Sequence, residues 1–404
     1  MWPALKWCDL ANQMICVVRP YANLPSDGAG NDRYVNLSLE LRARGIDARL
    51  LCSNFVHNRK TKRSMEQVLA NQRALPFVVE LESVGYTRNT SIRRVLYEVL
   101  FGIRALCWVV LNRPKAILVG EPLFFVGWLF VLYGMLCGAR ISADVIDLWP
   151  EADTRPLSGL GGAAVRLLYT ALKWSRTLRF RLYSRVSFVS RSYASVFRLP
   201  RESSVFYWGS NLLPERVVTK NGRNTITIVY AGSFGDGYDI QAILGAARLL
   251  AAHERPQFRF LIAGGGTQEP FVRESARRGE VSYLGYIERQ ELIALYMTAD
   301  IGLLPYKANS MVAMPIKFFD YLNFGVFAIS SLKLEVAEVI ESNGIGLSYK
   351  AGDAQDLYDR ILEASMDLDR LDRVCSVCTR LSEYYSIPRQ YGGFAEFIAK
   401  DVGS

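Results

Sequence analysis

Short apolar runs alternate with amphipathic stretches along most of the chain, and each change of period marks an element. MICVVRP (14–20) and IDARLLCSNF (46–55) read as strands on either side of a helix, DRYVNLSLELRARG, with the Gly-containing loop YANLPSDGAGN ahead of it. AILVGEPLFFVGWLFVLYGMLCGA (116–139) is long enough for a membrane span, but Glu121 and Pro122 divide it into a buried strand and its covering helix. RISADVID (140–147) is the next strand, and VLYEVLFGIRALCWVVL (95–111), interrupted by Glu98 and Arg104, reads as an amphipathic or buried helix rather than a span. LPRESSVFYWGSNLLPERVVTKNGRN (199–224) loses this periodicity, and TITIVYAGS (225–233) restores it. DIGLLPY (300–306) and VFAIS (326–330) then flank a helix. Strands and helices in alternation predict an α/β chain of two domains, 1–205 and 206–385, with 386–404 beyond them.

Composition agrees, since half of the 404 residues are apolar and two cores are well within reach. Seven cysteines are scattered without a disulfide-like framework, and MWPALKWCDLANQ lacks the apolar core of a secretory leader, so a cytoplasmic protein is expected. Cys375 and Cys378 form a lone CxxC, and with only two histidines in the chain a tetrahedral metal site is not expected. The net charge of +9 calls for an acidic partner. Arg166, Lys173, Arg176, Arg179, Arg181 and Arg185 are interleaved with Leu, Tyr, Trp and Phe between 163 and 185, as in helices lying on an anionic membrane surface. No motif of a nucleic-acid-binding module accompanies them, so nucleic acid is not the expected partner. A core helix with snorkelling arginines is the plainer alternative.

PIKFFDYLNFG (315–325) carries the most specific chemistry. Proline suits the first helical position and glycine the stop after the last. Lys317 then falls in the first turn, where exposed N–H groups already carry partial positive charge and a carboxylate would be the stabilising choice. An anion bound at that helix end resolves the conflict. Asp320, three residues on and on the same face, is an acceptor for ribose hydroxyls, so the pair reads as a nucleotide-diphosphate site. The alternative is an intrahelical Lys317–Asp320 pair on a solvated face, worth a few tenths of a kcal/mol.

LLPYKANSMVAMPIKFFDYLNFGVFAISS resembles the donor-site signature of family 4 retaining glycosyltransferases, in a PxKxFDY subgroup of polysaccharide-biosynthesis transferases. The likeness runs back through YLGYIERQELIALYMTADIGLLPY, FLIAGGGTQEP and YAGSFGDGYDIQAILGAARLL, and covers most of 205–385. It implies GT-B architecture: two Rossmann-like domains facing a cleft, with IPRQYGGFAEFIAK (387–400) crossing back to the first. It further implies a metal-independent, retaining hexosyltransferase that moves a hexose or amino-hexose from a nucleoside diphosphate sugar to a lipid-linked or glycan acceptor. The setting would be capsule, O-antigen or exopolysaccharide synthesis, peripheral on the inner face of the cell membrane. The nucleotide sugar is a co-substrate and no cofactor is implied. Donor residues would be Gly232, Ser233, Gly265, Lys307, Met314, Lys317 and Asp320, with the base read near Tyr286 and Ile287; Lys317 would also stabilise the leaving diphosphate. Two departures stand out: Val312 occupies the position where many relatives carry a glutamate, and GSFGDGYD (232–239) lacks their usual basic residue. A catalytically silent scaffold of the same architecture is the alternative function, with Lys317 and Asp320 as the discriminating residues.

In the first half, Gly30 and Arg33 open a helix after a GxG and are candidates for binding the acceptor or a phosphate, although GxG is also common turn chemistry. His57 and Asp147 follow strands, where open parallel sheets place ligands, and are catalytic candidates. Trp149 and Glu151, in DVIDLWPE (144–151), complete the acceptor side. Asp147 would otherwise be a turn carboxylate. His57, next to Asn58, Arg59 and Lys60, would otherwise be basic surface.

Overall fold

In the computed structural model, which describes residues 13–28, 31–88, 91–124, 126–151, 159–197, 202–214, 225–251, 253 and 257–403, buried apolar strands organise two units. One takes the chain through Phe206 together with Gln390 onward, and the other takes Tyr207–Arg389.

The first unit runs β1 (Ile15–Val18), α1 (Arg33–Ala43), β2 (Ala48–Ser53), a hairpin of β3 (Phe55–Val56) and β4 (Thr61–Lys62), α2 (Met65–Ala74), β5 (Val78–Leu81), α3 (Ile92–Asn112), β6 (Ala116–Glu121), α4 (Gly127–Cys137), β7 (Arg140–Val145), α5 (Gly159–Phe180), β8 (Val186–Phe188), α6 (Arg191–Val196) and β9 (Ser203–Val205). Its sheet has seven strands in the order β5-β2-β1-β6-β7-β8-β9, paired in parallel. Every residue of β1 and β6 is buried, as expected of strands covered on both faces. Strand order reverses between β1 and β6, which opens a crevice at their carboxyl ends.

Buried ion pairs fix this unit. Arg33, first residue of α1, is fully buried and grips Asp144 of β7 through Nε and Nη2 at 2.7 and 2.9 Å. Its Nη1 donates to the carbonyl of Phe206 at 2.8 Å. Arg179 of α5 is likewise buried on Glu121, and Arg176 on Glu151. These two arginines are therefore core residues, which corrects the expectation that they face a membrane. Leu167 and Trp174 on the same helix are exposed, as is Arg181 just after it.

α3 buries Tyr97, Phe101, Ala105 and Val109 but leaves Ile92, Leu96, Ile103, Val110 and Leu111 exposed. By length and composition it is apolar enough to cross a membrane, a property that the reading of 95–111 as an amphipathic or buried helix did not anticipate. α4 packs against both α3 and α5 and adds exposed Leu132, Met135 and Leu136.

The second unit runs β10 (Thr225–Ser233), α7 (Ile240–Leu250), β11 (Gln257–Gly265), α8 (Glu269–Arg277), β12 (Ser282–Gly285), α9 (Arg289–Thr298), β13 (Ile301–Leu304), α10 (Ile316–Asn323), β14 (Phe327–Ser330), α11 (Glu335–Ser342), β15 (Gly346–Ser348), α12 (Ala354–Met366) and α13 (Leu368–Tyr384). Its parallel sheet is ordered β12-β11-β10-β13-β14-β15, with the reversal between β10 and β13. A last helix, α14 (Ile387–Gly403), contributes residues 390–403 to the first unit, where Phe394 stacks on Phe206 at 4.8 Å and Asp401 accepts from Ser184 Oγ at 3.1 Å.

Cys378 is buried on α13 and Cys375 lies against Gly325. Among the described residues no group of three or more His, Cys, Asp or Glu is placed to hold a metal ion.

Candidate functional site

At the carboxyl edge of the second sheet, α10 begins beside the β10–β13 reversal. Pro315 is its N-cap, with extended backbone, so Lys317 is the second helical residue, one earlier than a first-position proline would place it. The Lys317 side chain crosses to the end of β10, where a Cβ on residue 232 would lie 2.3 Å from its Cε; only glycine leaves that path open. Its Nζ sits 5.6 Å from the ring centre of Tyr230 and 5.4 Å from that of Tyr238. Among the described residues it makes no hydrogen bond or ion pair. Burial pulls the ammonium pKa down, and the charge of Asp320 restores only part of the difference. A cation held in this way, at a helix end that already favours anions, is poised for a negatively charged ligand.

Asp320, one turn further along α10, is buried and accepts a hydrogen bond from Ser210 Oγ at 2.5 Å. Desolvation lifts its carboxyl to about 6, against the opposing effects of Ser210, Lys317 and Arg289. No ion pair joins the two side chains and Asp320 is buried, so a solvated intrahelical pair does not describe this segment.

Glycine backbones bring β10 and β11 into close contact beside Lys317. A Cβ at Gly264, whose φ is +127°, would fall 1.8 Å from the Gly232 carbonyl oxygen. Phe234 N donates to the Gly265 carbonyl at 2.8 Å, and Gln268 Nε2 donates to the carbonyls of Gly235 and Tyr238 at 2.9 and 3.0 Å. Tyr230 Oη donates to the Ser233 carbonyl at 2.6 Å, so the ring beneath Lys317 also pins the loop that carries Ser233. Ser233 Oγ accepts from Gly235 N at 3.1 Å. Met314 is buried just before α10, while Tyr286 is exposed and Ile287 half-buried after β12. All these positions follow adjacent strands on one edge. Lys307 is on the same edge but exposed, in a recess lined by Asp239, Asn309 and Gly352, and the structure gives it no contact with Lys317.

The first unit redistributes its candidates. Arg33 is spent on Asp144 and is not available to an acceptor or a phosphate, a correction whose cause is the burial of the α1 N-terminus against β7. Gly30 lies outside the described residues. Trp149 packs edge-on against Phe124 and Tyr169 at 5.1 and 5.3 Å, and Glu151 is bound by Arg176 at 2.5 Å, so both are held as structural groups rather than open acceptor contacts.

His57 and Asp147, in contrast, share neighbours. The His57 Nδ1 meets the Tyr86 hydroxyl and lies 3.4 Å from Lys60 Nζ, while the ring packs on Tyr21 at 4.9 Å. Burial first, then the charges of Lys60, Arg94 and Arg19, lower its pKa to about 4. Asp147 is solvent-exposed yet crowded enough that desolvation raises its carboxyl, opposed chiefly by Arg19 and more weakly by Arg94.

Sequence reading missed Ser210, Tyr230, Tyr238, Arg19 and Arg94. Ser210 sits in the aperiodic stretch with which the second unit begins. Tyr230 looks like any strand aromatic, and Arg19 closes an apolar strand as a lone charge, the one signal that was open to reading.

Residues 225–367 match the family model described as Glycosyl transferases group 1. No curated protein sequence matches the chain. Among solved structures, a sucrose-phosphate synthase from Thermosynechococcus elongatus is similar over 97% of this chain and 97% of its own, at 15% identity and a TM-score of 0.63. Alr3699/HepE from Anabaena in complex with UDP is similar over 96% and 99%, at 13% identity and 0.66. WaaG, a glycosyltransferase involved in lipopolysaccharide biosynthesis, is similar over 95% and 99%, at 11% identity and 0.64. The fold is therefore GT-B, with two Rossmann-like domains, and its second unit carries a group 1 glycosyltransferase domain.

Proposed function

We propose that the protein is a retaining, metal-independent family 4 glycosyltransferase. It would move a hexose or amino-hexose from a nucleoside diphosphate sugar to a lipid-linked or glycan acceptor in cell-surface polysaccharide synthesis. The observation that carries this reading is Lys317: an ammonium drawn under Gly232, without a hydrogen-bond partner, at the start of α10. Cleaving the glycosidic bond puts charge on the departing diphosphate, and a fixed cation at that point stabilises the transition state more than the ground state. Asp320 takes the ribose hydroxyls, and the first unit takes the acceptor. The departing phosphate, on the same face as the incoming hydroxyl, accepts its proton. The nucleotide sugar is a co-substrate, and the reaction needs no resident cofactor. Structures of Alr3699/HepE with UDP and with UDP-glucose favour a uridine nucleotide here.

The site of action is the inner membrane face, with the protein peripheral and cytoplasmic. In support, α3, α4 and α5 expose Leu111, Leu136 and Trp174, 82%, 84% and 70% accessible, on neighbouring helices that also carry Arg104 and Arg166, with Arg181 just after α5.

A thermal-shift panel of UDP, GDP and their sugars tests the donor reading. A ligand at a hundred times its dissociation constant stabilises by about 2.7 kcal/mol. One nucleotide series should raise the melting temperature in wild type and fail to do so in Lys317→Ala. No shift with any of them would remove the donor site.

A further inference from the structure

The carboxyl edge of the first sheet holds a cluster of charge that the donor site does not use. Arg19 follows β1 at the β1–β6 reversal, where an open parallel sheet leaves its crevice. Its Nη1 donates to the carbonyl of Gly120, at the end of β6, at 3.1 Å. The residue is 9% exposed, its Nε has no partner, and among the described residues no carboxylate pairs with it. A buried guanidinium in that state is expensive unless an anion completes it.

Other donors surround the same point. The Tyr21 ring lies 5.2 Å from the guanidinium carbon of Arg19, 6.0 Å from that of Arg94 and 4.9 Å from the His57 ring. Lys60 Nζ is 3.4 Å from His57 Nδ1 and 4.8 Å above the Tyr86 ring. Because Nδ1 faces two donors, the Tyr86 hydroxyl and the Lys60 ammonium, the ring proton belongs on Nε2, which makes His57 a neutral N–H donor. The acidic groups that act on the cluster are Glu98, one turn along α3 from Arg94, and exposed Asp147. Asp32 also acts on Arg19, but its carboxylate is already satisfied by the backbone N–H groups of Asn23, Tyr34 and Val35. The charges of Lys60, Arg94 and Arg19 converge on the His57 ring and disfavour its protonation, so an anion is favoured over a further cation at this point.

We infer that this cluster binds a phosphate group of the acceptor, an ester or a diphosphate. Arg19, Lys60 and Arg94 neutralise it, His57 donates to it, and Tyr21 and Tyr86 wall it. The inference rests on the assignment of the acceptor to the first unit and narrows it to an anionic acceptor rather than a neutral glycan.

Inorganic pyrophosphate is the probe, titrated calorimetrically into the full chain carrying Lys317→Ala so that the second unit does not compete. It should bind once, and Arg19→Gln and Lys60→Gln should each weaken that binding about tenfold or more, as expected for loss of a charged hydrogen bond. UDP affinity of the same two substitutions with Lys317 intact should stay at the wild-type value, which verifies the fold. If Arg19→Gln disturbs folding, Lys60→Gln carries the comparison. Absence of pyrophosphate binding to the Lys317→Ala protein, or binding indifferent to both substitutions, overturns the inference. Pyrophosphate binding in a protein that takes no UDP supports the cluster and instead sinks the donor reading. Phosphatidylglycerol vesicles separate the sources of phosphate. Vesicle binding that pyrophosphate competes away puts a lipid headgroup in the cluster and overturns the acceptor assignment, and vesicle binding that ignores pyrophosphate supports it.

Discussion

Asp320 makes nucleotide binding depend on pH in a direction that the structure determines. Desolvation raises its carboxyl from 3.8 to about 6 in the ligand-free protein. Only the ionised form accepts hydrogen bonds from two ribose hydroxyls at once, so binding near pH 6 should release a proton. Restoring the ordinary carboxylate value is a shift of roughly two units, an upper limit of about 3 kcal/mol. Between pH 7 and pH 5, one unit below the folded value, affinity should fall about tenfold, or about 1.4 kcal/mol. Stability of the free protein runs the opposite way. A raised folded-state value means that the native state holds this proton more tightly than the unfolded chain. The contribution of Asp320 is therefore complete below pH 3.8 and is lost as pH rises through about 6. Calorimetry with the nucleotide sugar that gives the largest thermal shift, in buffers of different ionisation enthalpy, reads affinity and proton release together. A nucleotide sugar suits this better than a free diphosphate, whose terminal phosphate itself titrates near pH 6. Asp320→Asn should weaken binding about ten- to a hundredfold and flatten the profile. Affinity that rises on going from pH 7 to pH 5, or the same slope in Asp320→Asn as in wild type, would refute the assignment of this carboxylate to the ribose.

Lys317→Ala should lower turnover by about a hundredfold or more, beyond its effect on nucleotide affinity, because charge on the diphosphate grows toward the transition state; equal losses in ground-state affinity and turnover would argue for mere positioning. Gly232→Ala puts a methyl group on the lysine's path and should reproduce the Lys317→Ala phenotype in a protein with an unchanged circular dichroism spectrum. Arg33→Met strands Asp144 in the first core and should cost about 3–5 kcal/mol in denaturant unfolding; a cost below about 1 kcal/mol would mean that Asp144 finds another partner. Leu111→Gln, Leu136→Gln and Trp174→Gln combined should reduce cosedimentation with anionic vesicles, and unchanged sedimentation would remove the α3–α5 face from membrane binding.

Most of the fold was open to reading because parallel sheets bury strands on both faces and so write them as uninterrupted apolar runs. TITIVYAGS maps onto β10 residue for residue, while AILVG stops one residue short of β6 and RISADVID runs two residues past β7. The donor helix was legible for a different reason: a lysine in the first turn conflicts with the dipole of an isolated helix, and such conflicts mark sites that something outside the helix resolves. The partners of that lysine were not legible. The rings of Tyr230 and Tyr238 come from β10 and the loop after it, and Ser210 from beyond the periodic part of the chain.

Arg33 and Lys317 show why spacing alone could not separate a site from a strut. Both are cations in the first turn of a helix that follows a strand of a parallel sheet, and both were candidates for a phosphate. The difference lies across the sheet. β7 presents Asp144 to Arg33, and the pair closes into a buried salt bridge that leaves no charge for a ligand. β10 presents Gly232 to Lys317, a residue with neither side chain nor charge, so no salt bridge closes on the ammonium. In the sequence Asp144 lies 111 residues from Arg33. Nothing local announces that one helix end will be neutralised and the other left for an anion. Exchanging the roles is thus a matter of one facing residue: a carboxylate in place of Gly232 would convert the Lys317 site into a second structural pair, and nucleotide binding would end without loss of the fold.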